Sequence, residues 1–289
     1  MSEQRDTPDA SLDPEDWESF RARAHKVLDQ AISRLESARE GPVWREPTPD
    51  LRAAFDRPLP DDGFGAEAVD AQMSALLPFG VGNTHPRFFG WVHGAGTPAG
   101  LVSDMIAGAM NANLGGRDHG AIEVERQVIR WCRDLFGMPS TTSGLVVSGT
   151  SIATFVALKS ARDAALGQEV RQTGVGASRL TGYCSATTHS CAARAFDMLG
   201  LGSKALRTIP TNDNHQMDLK SLAIAVAADR AAGFQPFVVI ATAGSVDLGA
   251  IDDLSALADF AEQQSLWYHV DGAFGAMAIL SEPHAPRLK

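Results

Sequence analysis

From Gly144 onward, short apolar runs alternate with longer segments of helical spacing. Residues 145–147 precede a helical 152–162, 180–184 precede 190–199, 205–209 precede 219–232, 236–241 precede 254–263, and 266–270 close the series. The lengths are those of buried strands and of surface helices, and strands that return in parallel need a crossover that a helix supplies. The expectation is an α/β fold: a mostly parallel sheet with helices on both faces. In such a sheet ligands sit beyond the carboxyl ends of the strands, so chemistry is sought where each apolar run stops.

The first run ends in Ser148-Gly149-Thr150-Ser151 and then a helix, a gathering of hydroxyls and free N–H groups suited to an anion such as phosphate, and equally to an ordinary N-cap. The same stretch loosely resembles a hydrolase nucleophile elbow with Ser151 as nucleophile, although Ala153 replaces its second glycine. The run to Cys184 delivers Thr188 and His189, and a lone histidine there is as readily a cap or surface residue. The run to Ala241 delivers Thr242, Gly244 and Ser245, and the last run delivers Asp271, Gly272 and Ala273. Together these supply a phosphate cradle, an imidazole, hydroxyl donors and a carboxylate at one sheet edge. Pyridoxal 5′-phosphate needs that set: an anion site, a flat partner for its ring, a donor to its phenolic oxygen and a carboxylate for its ring nitrogen. A dinucleotide fingerprint is missing, since Gly80-Val81-Gly82 and Gly94-Ala95-Gly96 follow no strand, and no paired-Cys or HExxH spacing points to a metal.

Residues 85–90 (His-Pro-Arg-Phe-Phe-Gly), Glu123-Val124-Glu125 through Trp131 and Phe136-Gly137, residues 148–154, Thr188-His189-Ser190 and His269-Val270-Asp271-Gly272-Ala273 stand in an order that resembles the pyridoxal-phosphate-dependent (group II) amino-acid decarboxylases, the aromatic-amino-acid enzyme among them. The resemblance runs from about Trp17 to the end. It implies the type I, aspartate-aminotransferase-like fold and decarboxylation of an L-amino acid. It implies phosphate binding by Thr150 and Ser151, stacking of His189 and Ala273 on opposite ring faces, pairing of Asp271 with the ring nitrogen, and Thr242 or Ser245 near the phenolic oxygen. His85, Phe88, Phe89 and Trp91 would line the substrate pocket, an aromatic hint. Ile152 stands where a common family pattern has Glu, which leaves the substrate open. Other type I lyase chemistry, a serine hydrolase built on Ser151, and a non-catalytic protein of this fold are the alternatives.

Ahead of the alternation, Trp17, Phe20, Ala24, Val27, Leu28, Ala31 and Leu35 mark an amphipathic helix, with Asp13 and Pro14 as its start. Residues 41–60 carry five prolines and read as an extended arm; helices are expected at about 66–77, 98–111 and 121–136. The resemblance makes residues 1–95 a dimer-clasping extension of a homodimer and 96–289 an incomplete cofactor domain. The lysine that the chemistry requires is not evident. Lys159, Lys204 and Lys220 fall in or near helices or at a strand start, on the wrong edge, and Lys289 is too close to Asp271, so the chain reads as a fragment without the small C-terminal domain. A net charge of −10 argues against nucleic acid and anionic membrane as partners. Three cysteines without a CxxC pair, and no apolar leader, point to the cytoplasm.

Overall fold

The computed structural model describes residues 11–288 apart from 12, 114, 116 and 117. Residues 1–10 and Lys289 lie outside the described residues. The chain divides into two compact units, Met1–Asn111 and Ala112–Lys289.

The first unit holds α1 (Trp17–Glu36), α2 (Pro49–Phe55), α3 (Ala66–Ser74) and α4 (Pro98–Met110). Asp16, not Asp13, caps α1 by accepting the Glu18 N–H at 2.9 Å, and Arg23 of α1 pairs with Asp70 of α3 at 2.6 Å. The proline-rich stretch is not wholly extended. Thr48 caps α2 and Pro49 occupies its first turn, where a missing N–H costs nothing and the fixed φ suits a helix.

The second unit starts with α5 (Gly120–Leu135), α6 (Thr150–Leu166) and the short α7 (Val170–Thr173). Strands β1 (Leu180–Ser185), β2 (Leu206–Ile209), β3 (Gln235–Thr242) and β4 (Trp267–Asp271) then alternate with α8 (Cys191–Met198), α9 (Leu219–Ala231) and α10 (Leu254–Gln263). All pairings are parallel, in the order β2-β1-β3-β4. The expected strand at 145–147 is absent among the described residues: Leu145 and Val146 are exposed, and the Val146 N–H donates to Glu125 Oε1 at 2.8 Å instead of to a ladder.

Burial explains the uninterrupted apolar runs. Along β3, Val238 and Ile240 join Leu158 of α6 and Phe196 of α8 on one face, while Val239 and Ala241 join Val226 of α9 and Leu257 of α10 on the other. A strand covered on both sides has no polar face to alternate with. Gly182 permits the close fit of β1 to α8, since a Cβ there would lie 2.5 Å from the Phe196 ring.

The order also fixes where a ligand can enter. After β2 the chain crosses back over β1 to place β3 on the other side, so the connections leaving β1 and β3 diverge and open a crevice at their carboxyl ends.

Candidate active site

At that switch point the hydroxyls of Thr188, just past β1, and Thr242, the last residue of β3, lie 3.2 Å apart. Thr242 is held from below. Asp252, 3% exposed, accepts the Thr242 N–H at 2.8 Å and the Met217 N–H at 2.7 Å, and its own N–H returns to the Thr242 carbonyl at 3.0 Å. Burial pushes the Asp252 carboxyl up from its ordinary pKa, against the pull of those two N–H donors. Sequence reasoning missed Asp252. No local signal marks it: beside Asp253, which caps α10 through the Ala256 N–H, it reads as one more carboxylate at a helix start.

Ser245 is buried, and its hydroxyl is taken up by its own loop, accepting the Ala250 N–H at 3.2 Å. This loop meets the one after β4 closely: a Cβ on Gly275 would lie 2.4 Å from the Ala243 carbonyl oxygen, and Gly244 turns at φ +93°.

Asp271 ends β4. Its Oδ1 accepts the Ala273 N–H at 3.2 Å, and its Oδ2 lies 3.8 Å from the thiol of Cys191, which begins α8. The same sulfur is 3.8 Å from the Thr154 hydroxyl of α6. His189 is exposed, with Nδ1 accepting the Cys191 N–H at 3.3 Å, so a neutral ring carries its proton on Nε2. His269, two residues before Asp271, has a buried Nε2 with no hydrogen-bond partner. Burial lowers its pKa, partly offset by Asp271, and keeps the imidazole neutral.

Thr150 and Ser151 form the first turn of α6, exposed, with no side chain capping the helix. Thr154, one turn further, ties this helix to Cys191 and so to the neighbourhood of Asp271. The fold therefore brings Thr154, His189, Cys191 and Asp271 together, and Thr188 with Thr242. The hydrolase elbow is not formed: among the described residues no strand precedes Ser151 and no hydrogen bond joins it to a histidine.

The aromatic segment belongs to the first unit. His85 is buried, its Nδ1 accepting the Arg87 N–H at 3.0 Å and its Nε2 without a partner. Phe88 meets Trp91 edge-on at 5.8 Å, and Phe89 is 91% exposed. Among the lysines, Lys159 pairs with Asp163 within α6, and Lys204 precedes β2. Lys220 departs from expectation: it stands in the first turn of α9, on the carboxyl side of β2, although β2 is the sheet edge far from β4.

Residues 49–289 match the family described as the pyridoxal-dependent decarboxylase conserved domain. The aromatic-L-amino-acid decarboxylase of Bacillus atrophaeus is 31% identical over 282 residues, covering 94% of this chain and 56% of that protein. The cysteine sulfinic acid decarboxylase of Rattus norvegicus is 30% identical, with 89% and 52% covered. The chain thus spans about half the length of these curated relatives. Among solved structures, mouse CSAD superposes with a TM-score of 0.86 at 28% identity, covering 95% of this chain and 58% of that one. The Oryza sativa TDC structure with PLP and tryptamine gives 0.82 at 26% identity, with 96% and 60% covered. The parallel sheet, its switch point and the ordered motifs along it are those of the fold type I enzymes, and the chain belongs to the pyridoxal-dependent decarboxylase family.

Proposed function

We propose that the whole protein binds pyridoxal 5′-phosphate at the carboxyl edge of this sheet and decarboxylates an L-amino acid to the amine and CO₂. When bound, the cofactor supplies the electron sink for the bond broken at the α-carbon. The residues present fit the group. The uncapped first turn of α6, with Thr150 and Ser151, offers N–H and hydroxyl donors to a phosphate. The exposed His189 ring is free to stack on one ring face, with Ala273 on the other. The two hydroxyls considered for the phenolic oxygen both remain candidates: Thr242 lies at the switch point beside Thr188, and Ser245, whose oxygen accepts the Ala250 N–H, keeps its own O–H to donate.

Asp271 carries the reading. Its oxygens meet only an amide N–H and a thiol, and among the described residues no cation pairs with it, so its negative charge remains available to hold a proton on a ring nitrogen. His85, Phe88, Phe89 and Trp91 are assigned to the substrate pocket, where the exposed aromatic cluster favours an aromatic amino acid. The relatives act on aromatic, tryptophan and cysteine sulfinic acid substrates by name, which agrees with the reaction and leaves the side chain to be measured.

Residues 1–95 are assigned to a clasping arm of a homodimer and 96–289 to the cofactor domain, a reading supported by the exposed Trp17 and Phe20 of α1. No helix among the described residues is long and apolar enough to cross a membrane, and three free cysteines agree with a cytoplasmic setting. The test is a cofactor titration followed by absorbance, paired with amine and CO₂ release from a panel of L-amino acids. Saturable binding that Asp271→Asn weakens without abolishing, with amine release nearly lost, supports the proposal, whereas absence of cofactor binding together with fluorophosphonate labelling of Ser151 would overturn it.

A further inference from the structure

Two side chains that the proposed chemistry does not use as ligands converge behind Asp271. Thr154 comes from α6 and Cys191 from α8, and both are buried, Cys191 to 1% exposure. The sulfur stands between two oxygens, 3.8 Å from Thr154 Oγ1 and 3.8 Å from Asp271 Oδ2. A hydroxyl can donate or accept, whereas an ionised carboxylate only accepts. The arrangement that satisfies all three groups therefore runs one way: the Thr154 O–H donates to sulfur, and the Cys191 S–H donates to Asp271.

We propose that Cys191 is a positioning residue for Asp271, fixing the rotation of the carboxylate so that it faces the ring nitrogen of pyridoxal phosphate. The inference rests on the reading of Asp271 given above. The Ala273 N–H holds Oδ1 and the thiol holds Oδ2, so each oxygen has one donor and keeps a lone pair for a further N–H. The chemistry of the donor matters. A lysine or arginine here would also orient the carboxylate, but as an ion pair it would neutralise the charge that the ring proton needs. A thiol is a weak, neutral donor and withdraws little of that charge. Burial, followed by the nearby carboxylate, pushes the Cys191 thiol up from its ordinary pKa, which keeps the proton on sulfur. Thr154 completes the device by contacting the same sulfur, so α6, which offers its first turn to the phosphate, and β4, which offers its end to the ring, are coupled through one atom.

The test titrates pyridoxal phosphate into the wild type, Cys191→Ala, Cys191→Ser and Asp271→Asn, with thermal melting of each cofactor-free protein alongside. Loss of one such hydrogen bond predicts about three- to tenfold weaker cofactor binding for Cys191→Ala. Cys191→Ser, which keeps a donor, should bind within about twofold of wild type under the same energetics. A merely structural role would move the melting temperature and leave the serine and alanine variants alike in affinity. Alanine binding as tightly as wild type, or serine failing to restore affinity, overturns the proposal while Asp271→Asn still binds poorly. If Asp271→Asn binds as tightly as wild type, the reading of Asp271 itself has failed. A second measurement needs no change at Cys191: in the infrared difference between cofactor-free wild type and Asp271→Asn, the S–H stretching band should move to higher frequency as the acceptor weakens. An unmoved band overturns the contact.

Discussion

Helices α5 and α6 belong to the same unit and differ by one residue in length, 16 against 17, yet they meet their surroundings in opposite ways. α5 buries nothing and leaves Val124, Val128 and Trp131 exposed. α6 buries Thr154, Leu158, Ala161 and Asp163 against the sheet and α8. The contrast extends to α1–α4, none of which contains a buried residue, and to α8–α10, all of which do. Helix formation in the first group is thus governed by caps, spacing and propensity, and in the second by what the helix covers. Fold stability is expected to reside in the sheet and its four covering helices, with the exposed apolar helices upstream available for association.

The sharpest way to break this contrast is Phe196→Ala. Its ring is fully buried between β1 and Phe237, so truncation should cost about 3–5 kcal/mol in denaturant unfolding. Trp131→Ala on α5, a comparable loss of ring, should cost under about 1 kcal/mol in the unassociated protein; equal costs would abolish the distinction. Asp271→Asn is expected to lower decarboxylase turnover on the order of 10²–10³-fold through lost electrostatic stabilisation. Its melting temperature should stay near that of wild type, and a full-length variant with undiminished activity would remove Asp271 from the site.

A smaller effect compares two ion pairs. Arg207 grips Asp229 through both carboxylate oxygens at 2.9–3.2 Å, with the Tyr183 hydroxyl at 2.8 Å. Burial raises the pKa of Asp229, but the hydrogen bonds of Arg207, Tyr183 and Thr181 outweigh it and hold the carboxyl below 3.8. The folded form thus prefers the ionised acid: its stabilisation is present above pH 3.8 and disappears as pH falls through the lowered folded value. Asp229→Asn should therefore cost about 1.5–3 kcal/mol at pH 7 and progressively less toward pH 3. Asp70→Asn, which removes the partly exposed partner of Arg23, should cost under about 1 kcal/mol at pH 7. The smallest change is expected for Phe20→Ala on α1, within about 0.5 kcal/mol at low protein concentration. Its effect should be seen in sedimentation, as weaker self-association; an unchanged association constant would remove this face from the proposed dimer.

Much of this architecture was legible because burial on both faces leaves a direct trace in composition. The strands β1 and β3 stand out as apolar runs on that account, β4 as an apolar run although it is only half-buried, and their ends named Thr188, His189, Thr242 and Asp271 in advance. Residues 145–147 misled for the same reason: three apolar residues read as a strand, while nothing in them discloses that a ladder partner is missing. Pro49 misled in the other direction, since a proline excludes a helix interior but favours a helix start. Asp252 and Cys191 were out of reach for a different reason. Their roles depend on partners distant in the chain, Met217 and Thr242 for one, Thr154 and Asp271 for the other, and no local pattern announces such meetings.

The strand order carries one more consequence, in time. β1 and β2 are joined by a single helix and can pair as soon as both exist, but the other edge of β1 is satisfied only by β3, after β2 and α9 have intervened. During synthesis the apolar edge of β1 therefore waits, unpaired, while those elements emerge, the interval in which such edges recruit other chains. Thr188 and Thr242 come together only when β3 inserts, so the crevice is a late product of folding, and slow arrival of β3 would cost yield before it cost activity.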